Sequence, residues 1–309
     1  MADALSTTKS AIQALQNPAQ TKAANDWLVT FERTQEAWQI ADALLREPEA
    51  FRFFGSITLY NKCQRDIDQL DRTVVPGLMQ TVVQHIIRIS TEIPFDSKCC
   101  RYLCLSLASL AVQVNQDGVV KQILVWLNPI MASSPEILLD LLTVLPEECD
   151  NFKLDVTSDT REAFFQQLSQ TAEEVFGFLL YLRSQAGSSV VRNKILQCLQ
   201  QWIKYTYIPG SILSGHEVFR FALECLAVED LFENSIGVVI TTWEKFGSDD
   251  ISIIEKLYPA ILSLKSLWDH RLSALRLDSE DDDSADICRA ISQAVAATAE
   301  ACLPVIVGN

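Results

Sequence analysis

Apolar residues recur through this chain at the three- and four-residue intervals of a single helix face, with short breaks between the runs. Trp27, Leu28 and Phe31 form the first stripe. Trp38, Ala41 and Leu45 form the second, widened by Ile40 and Leu44. This spacing lines one side of an α-helix, and the two helices meet near Thr34. The block from Pro48 to about Asp66 carries Phe51, Phe54, Ile57 and Leu59 without the alternation a strand needs, so it pairs with the helix before it. Trp27, Trp38 and Phe54 read as core between helices.

The same signature returns downstream. Pro135 sits where a first helical turn tolerates a missing N–H, and Ile137, Leu138, Leu141, Leu142 and Leu145 follow at helical spacing until Pro146, which is expected to end the helix. Asp159 with Glu162, and Ser214 with Glu217, have the spacing of a capping box. Ile195, Leu199, Trp202 and Ile203 form another stripe before Pro209-Gly210. Phe232, Ile236, Val239, Ile240 and Trp243 form one before Gly247. Roughly fourteen segments of this kind, paired as hairpins, make about seven repeats in the forty-odd-residue range of HEAT units. The expected fold is therefore all-α: a right-handed α-solenoid of HEAT-type antiparallel helix hairpins, single over residues 1–309.

Composition agrees with helix. Gly and Pro number only 10 each against 49% hydrophobic residues, too few for the turns of a many-stranded sandwich or barrel. With 25 basic and 40 acidic residues the net charge is −15, which repels phosphate backbones and anionic membrane surfaces. The sequence therefore favours a basic or charge-mixed protein partner over nucleic acid. No apolar run approaches the ~18 residues of a membrane span, and nine cysteines in 309 residues are not the dense set of a small secreted scaffold. The run Asp278–Asp286, DSEDDDSAD, is expected as a solvated acidic loop that can also meet a basic surface. The end, LPVIVGN, follows an apolar helix with Ile291, Val295 and Leu303 and lacks a polar cap, so the chain reads as truncated at its carboxyl end.

Residue types that carry chemistry do not assemble. Cys99, Cys100 and Cys104 lack a second Cys/His pair at zinc spacing and sit in an apolar helix, so they read as core thiols. His85, His216 and His270 are each alone in their segments. No phosphate-cradling G-x-x-x-x-G-K-[ST] or H-E-x-x-H occurs. The paired acids Glu147 and Glu148 read as exposed or capping groups. The chain is expected to have no catalytic, metal or cofactor site.

Three stretches nonetheless carry a resemblance. AANDWLVTFERTQEAWQIADALL (Ala23–Leu45), FRFFGSITLYNK (Phe51–Lys62) and LLDLLTVLPEECD (Leu138–Asp150) resemble the amino-terminal part of a karyopherin-β receptor of the transportin-SR and importin-thirteen group. The third is similar to an L-L-x-x-L-T-V-L-P-E-E run of that group. The likeness extends along the chain, its later half by helix pattern. Several karyopherins carry a leucine-lysine-asparagine triplet in the second hairpin. Leu59 and Asn61 fit it, Tyr60 departs from it, and Lys62 matches a lysine of the transportin-SR group one position on.

The resemblance implies a nuclear import receptor that shuttles between cytoplasm and nucleus, wraps protein cargo such as arginine-serine-rich proteins, touches Phe-Gly nucleoporins and binds Ran in its GTP form. Residues 1–115 resemble the Ran-binding repeats and 116–309 the further HEAT repeats. Asn61, Lys62 and Arg65 lie on the helix that resembles a Ran-facing one. Periodicity alone fits equally a HEAT scaffold or assembly subunit of another class.

Overall fold

The computed structural model describes residues 2–92, 95–114, 116–185, 187–247, 250–277 and 282–307. Among these no strand occurs, and the helices pair as HEAT-type hairpins. The contacts divide the chain into two compact units, residues 1–167 and 168–309. Among the described residues no helix is long and apolar enough to cross a membrane.

The first unit contains α1 (Ala2–Ala14), α2 (Thr21–Glu32), α3 (Ala37–Leu44), α4 (Glu49–Arg65), α5 (Val75–Ser90), α6 (Ser97–Val114), α7 (Val119–Leu127) and α8 (Pro135–Cys149). Ala37, Ile40, Ala41 and Leu44 give α3 a fully buried stripe. That stripe packs on α4, which starts after Pro48 with Glu49 in its first turn and ends with Lys62 and Arg65 in its last, each matched to the helix dipole. The two backbones approach closely at Gly55, where an added Cβ would lie 2.9 Å from the Ala41 carbonyl oxygen. Helix α6 is the centre of the unit: Cys100, Leu103, Cys104, Leu107, Ser109, Leu110 and Ala111 are all buried, and it packs on α4, α5 and α8. Gly118, at φ +75°, supplies the left-handed residue that opens α7.

Several expectations change here. Pro146 does not end α8, which continues to Cys149. Pro146 is itself buried, and beyond it Glu148 is held by four side chains, so tertiary contacts outweigh the lost N–H. Glu148 is thus a buried carboxylate, neither exposed nor a cap. Trp27 is 38% exposed and stacks on Phe31 with ring centroids 5.1 Å apart, whereas Trp38 is buried and Phe54 packs half-buried against the α1–α3 core. Helix α9 (Ser158–Gln185), within which the unit boundary falls, is capped by Thr157, whose Oγ1 accepts from the Thr160 N–H, and not by Asp159.

The second unit continues with α10 (Ser189–Tyr205), α11 (Gly210–Gly215), α12 (Glu217–Glu224), α13 (Glu229–Phe246), α14 (Ile251–Ser263), α15 (Lys265–Leu277) and α16 (Asp282–Val307). Its core is built from large side chains: Trp202, Phe176 and Phe219 are essentially inaccessible, and α13 packs on both α10 and α16. Gly210 is required by close approach, since a Cβ there would lie 2.1 Å from the carboxylate of Asp250, the N-cap of α14. Ser214 does not cap α12. His216 takes that place, its Nδ1 accepting from the Val218 N–H at 3.2 Å, because Ser214 is drawn into α11 by its bond to the Ser211 carbonyl. The acidic run is helical from Asp282 onward, where carboxylates favour a helix start, and Asp286 pairs with Arg289. Residues 278–281 of that run lie outside the described residues, as does the side chain of Leu303.

Candidate functional site

The residues singled out by sequence lie on the last turns of α4, at one corner of the first unit. Arg65 is exposed, its guanidinium contacts the Glu32 carboxylate on α2, and its Nε donates to the Asn61 carbonyl at 3.2 Å. Asn61 is half-buried beside it. Lys62 is different, with 0% exposure. Its ammonium donates to the Thr34 carbonyl at 3.0 Å and to Gln69 Oε1 at 2.6 Å, and forms an ion pair with Asp66 Oδ2 at 3.0 Å. It also sits 5.4 Å from the centre of the Trp38 ring, a cation–π contact. Burial pushes its pKa down while Asp66 opposes the shift.

Lys62 is therefore a joint, not an exposed contact. Its stem is sealed between α3 and α4, and its head closes the α2–α3 turn through Thr34 and, through Gln69, the Arg33 carbonyl. A lysine on a helix surface and a lysine inside a corner give the same letter in the sequence. What distinguishes this one is Asp66 four residues on and an aromatic ring on the neighbouring helix.

A second joint lies one helix deeper. Glu148 Oε1 accepts hydrogen bonds from Ser109 Oγ on α6 at 2.7 Å, from Asn151 Nδ2 at 2.9 Å and from Gln64 Nε2 at 3.3 Å. Tyr60 OH donates to Oε2 at 3.1 Å. Tyr60, the residue that departs from the leucine-lysine-asparagine triplet, thus ties α4 to α8 through a buried carboxylate. Burial and the Glu148 charge push its phenol well above the usual range. Sequence spacing gave no sign of this pairing, because 88 residues separate the partners.

Beside the Lys62 corner opens a cleft of about 640 Å³. Ile67, Leu70, Val75 and Val114 form its apolar walls, and Asp68, Arg72, Gln116 and Asp155 its polar ones. The residues that line it include neither His nor Cys. Cys99 and Cys149 are buried, and burial pushes their thiols up to about 12, which suppresses the reactive thiolate. His85 is buried against Asp42, its Nε2 2.7 Å from Oδ1. His216 caps a helix, and His270 is exposed. The corner brings Asn61, Arg65 and Glu32 together at the end of α4, with Arg65 the most exposed of the three.

Residues 99–239 match the Exportin 1-like protein family. Over 263 residues, 79% of its length, the chain is 30% identical to Transportin MOS14 of Arabidopsis thaliana. The chain belongs to the karyopherin-β family. This karyopherin-β is also 24% identical to Importin-13 of Homo sapiens over 279 residues, 86% of its length, and 27% identical to the mRNA transport regulator MTR10 of Saccharomyces cerevisiae over 244 residues, 65% of its length. The matched part covers 26%, 28% and 23% of those three relatives, so this karyopherin-β spans about a quarter of the length of the proteins it matches.

Proposed function

We propose that this chain is the Ran-responsive portion of a nuclear transport receptor, and that its first unit binds Ran in the GTP form through the surface at the end of α4. The observation that carries the reading is the shared similarity to a transportin, an importin and an mRNA transport regulator, three proteins of one transport class. Arg65, with Asn61 beside it, supplies the exposed contacts. Lys62 acts indirectly, by fixing the corner on which they stand.

In this reading the receptor moves between cytoplasm and nucleus, carries basic protein cargo such as arginine-serine-rich proteins, touches Phe-Gly nucleoporins and performs no catalysis. The net charge of −15 supports a cationic cargo. Ran-GTP and cargo oppose each other's binding, a coupling that is reciprocal by thermodynamic linkage. Titration calorimetry of the full chain with Ran loaded with a non-hydrolysable GTP analogue, and with Ran-GDP, tests it. Binding selective for the GTP form is expected. Equal binding of both forms, or none by a chain whose helical circular dichroism is intact, removes the proposal.

A further inference from the structure

The second unit carries a groove that the Ran reading does not use. It runs between α13 and α16 and has a volume of about 590 Å³. Its floor is a row at four-residue spacing on α13, Phe232, Ile236 and Ile240, faced by Ile287 and Ala290 on α16. Phe232 and Ile236 are buried at 4% and 2% exposure, while Ile240, Ile287 and Ala290 remain half-buried and face an open channel. The rim carries three carboxylates, Glu229, Glu233 and Asp286, against one cation, Arg289.

The rim charges are free to exchange partners. Glu229 pairs with Arg271 and Asp286 with Arg289, but both carboxylates stand largely in water at 77% and 70% side-chain exposure, where solvent screening leaves such pairs weak. Glu233 is exposed and has no ion-pair partner among the described residues. The unit around the groove is acidic as a whole, with 19 Asp and Glu against 11 Lys and Arg over residues 168–309.

Shape and charge together select one occupant. The nine residues from Phe232 to Ile240 span eight rises, about 12 Å along a helix, or two turns. The rows on both walls are spaced for the ridges of a third helix to seat between them. We infer that the α13–α16 groove receives two turns of a basic amphipathic helix from a partner protein. Apolar residues at i, i+4 and i+7 of that helix lie on the Phe232–Ile240 floor, and its flanking Lys and Arg reach Glu229, Glu233 and Asp286. The partner differs in kind from an arginine-serine repeat, which has no apolar face to bury.

The probe is a fluorescein-labelled 14-residue peptide of leucine and lysine with its leucines on one helical face, titrated with the full chain by fluorescence anisotropy. The groove variant Glu233→Lys with Asp286→Lys is compared with a control reversal of equal charge at exposed positions elsewhere in the same unit, Glu244→Lys with Glu255→Lys. All four positions are exposed, and circular dichroism melting confirms that each variant folds.

The groove variant is expected to bind about tenfold more weakly and the control within about twofold of the unaltered chain. A peptide of the same composition with scrambled leucines is expected to lose most of its affinity. Equal weakening by both variants, equal binding of the scrambled peptide, or no binding at all overturns the inference. Ran-GTP calorimetry on the same preparations separates the two readings: retained Ran binding with no peptide binding removes the groove proposal alone.

Discussion

The two units solve the same packing problem with different materials. The first puts charge inside: Lys62 and Asp66 close one corner, Glu148 gathers four donors between α4, α6 and α8, and His85 lies against Asp42. The second fills its centre with rings, Trp202, Phe176 and Phe219. Several of its joints between neighbouring helices are neutral, such as Gln200 donating to Thr241 Oγ1 at 3.0 Å and Asn234 to Asn193 at 2.8 Å, and its Arg271–Glu229 pair lies at the surface. Packing by volume tolerates small shifts, whereas a buried carboxylate with four fixed donors admits one register. The first unit is thereby held to one geometry, on which the proposed Ran contact relies. The second leaves an open, acid-rimmed groove.

The sharpest way to break this contrast is to empty each centre in turn. Trp202→Ala should cost about 4 kcal/mol, the range for deleting a buried ring, and hydrogen exchange should place the loss in the second unit. Lys62→Ala should cost about 3 kcal/mol in the first, because Asp66 loses its counter-ion and two carbonyl-type acceptors lose their donor in a closed corner. Urea unfolding followed by exchange protection reads both. Equal loss in the two units from either change would erase the distinction. Glu148→Gln keeps the shape and removes the charge, so about 2 kcal/mol is expected, with α4 and α8 losing protection together.

Much of this architecture is written in the sequence, and the parts that are not share a cause. The α3 stripe, the break near Thr34 and the block ending near Asp66 appear where helical periodicity puts them, since burial of one face decides them locally. The end of α8, the cap of α12 and the role of Lys62 are decided by partners that sequence spacing does not reveal. Pro146 stays helical because the turn beyond it is anchored to α4 and α6, and Ser214 loses its cap to His216 by a bond inside α11. For the candidate site, the resemblance pointed to the helix now seen as α4 and to the triplet position on it. It did not separate Arg65, which meets solvent, from Lys62, which does not.

Two smaller effects sharpen the comparison by pH. Lys245, on α13, donates to the Thr206 carbonyl, and burial pulls its pKa down to about 8. Between about pH 8 and the ordinary lysine value near 10.5 the unfolded chain binds more protons than the folded one, so this group makes stability rise with pH across that window. Lys245→Met should flatten that component, measured as the difference in urea midpoint between variant and parent at pH 8 and 10. Asp42 acts in the other unit with the opposite boundary. The bond from His85 holds its pKa below 3.8, so its contribution is present above that value and is lost as pH falls through the lowered folded pKa. Asp42→Asn should remove that acid-side loss. Arg220→Ala, on an exposed pair with Glu217, should change stability by less than about 0.5 kcal/mol.

The most direct test of the account is hydrogen exchange of the full chain with and without Ran carrying a non-hydrolysable GTP analogue. Added protection over residues 21–33 and 49–72 of the first unit, with none over 210–277 of the second, is the expected result. Protection confined to the second unit, or no change in either, would contradict it.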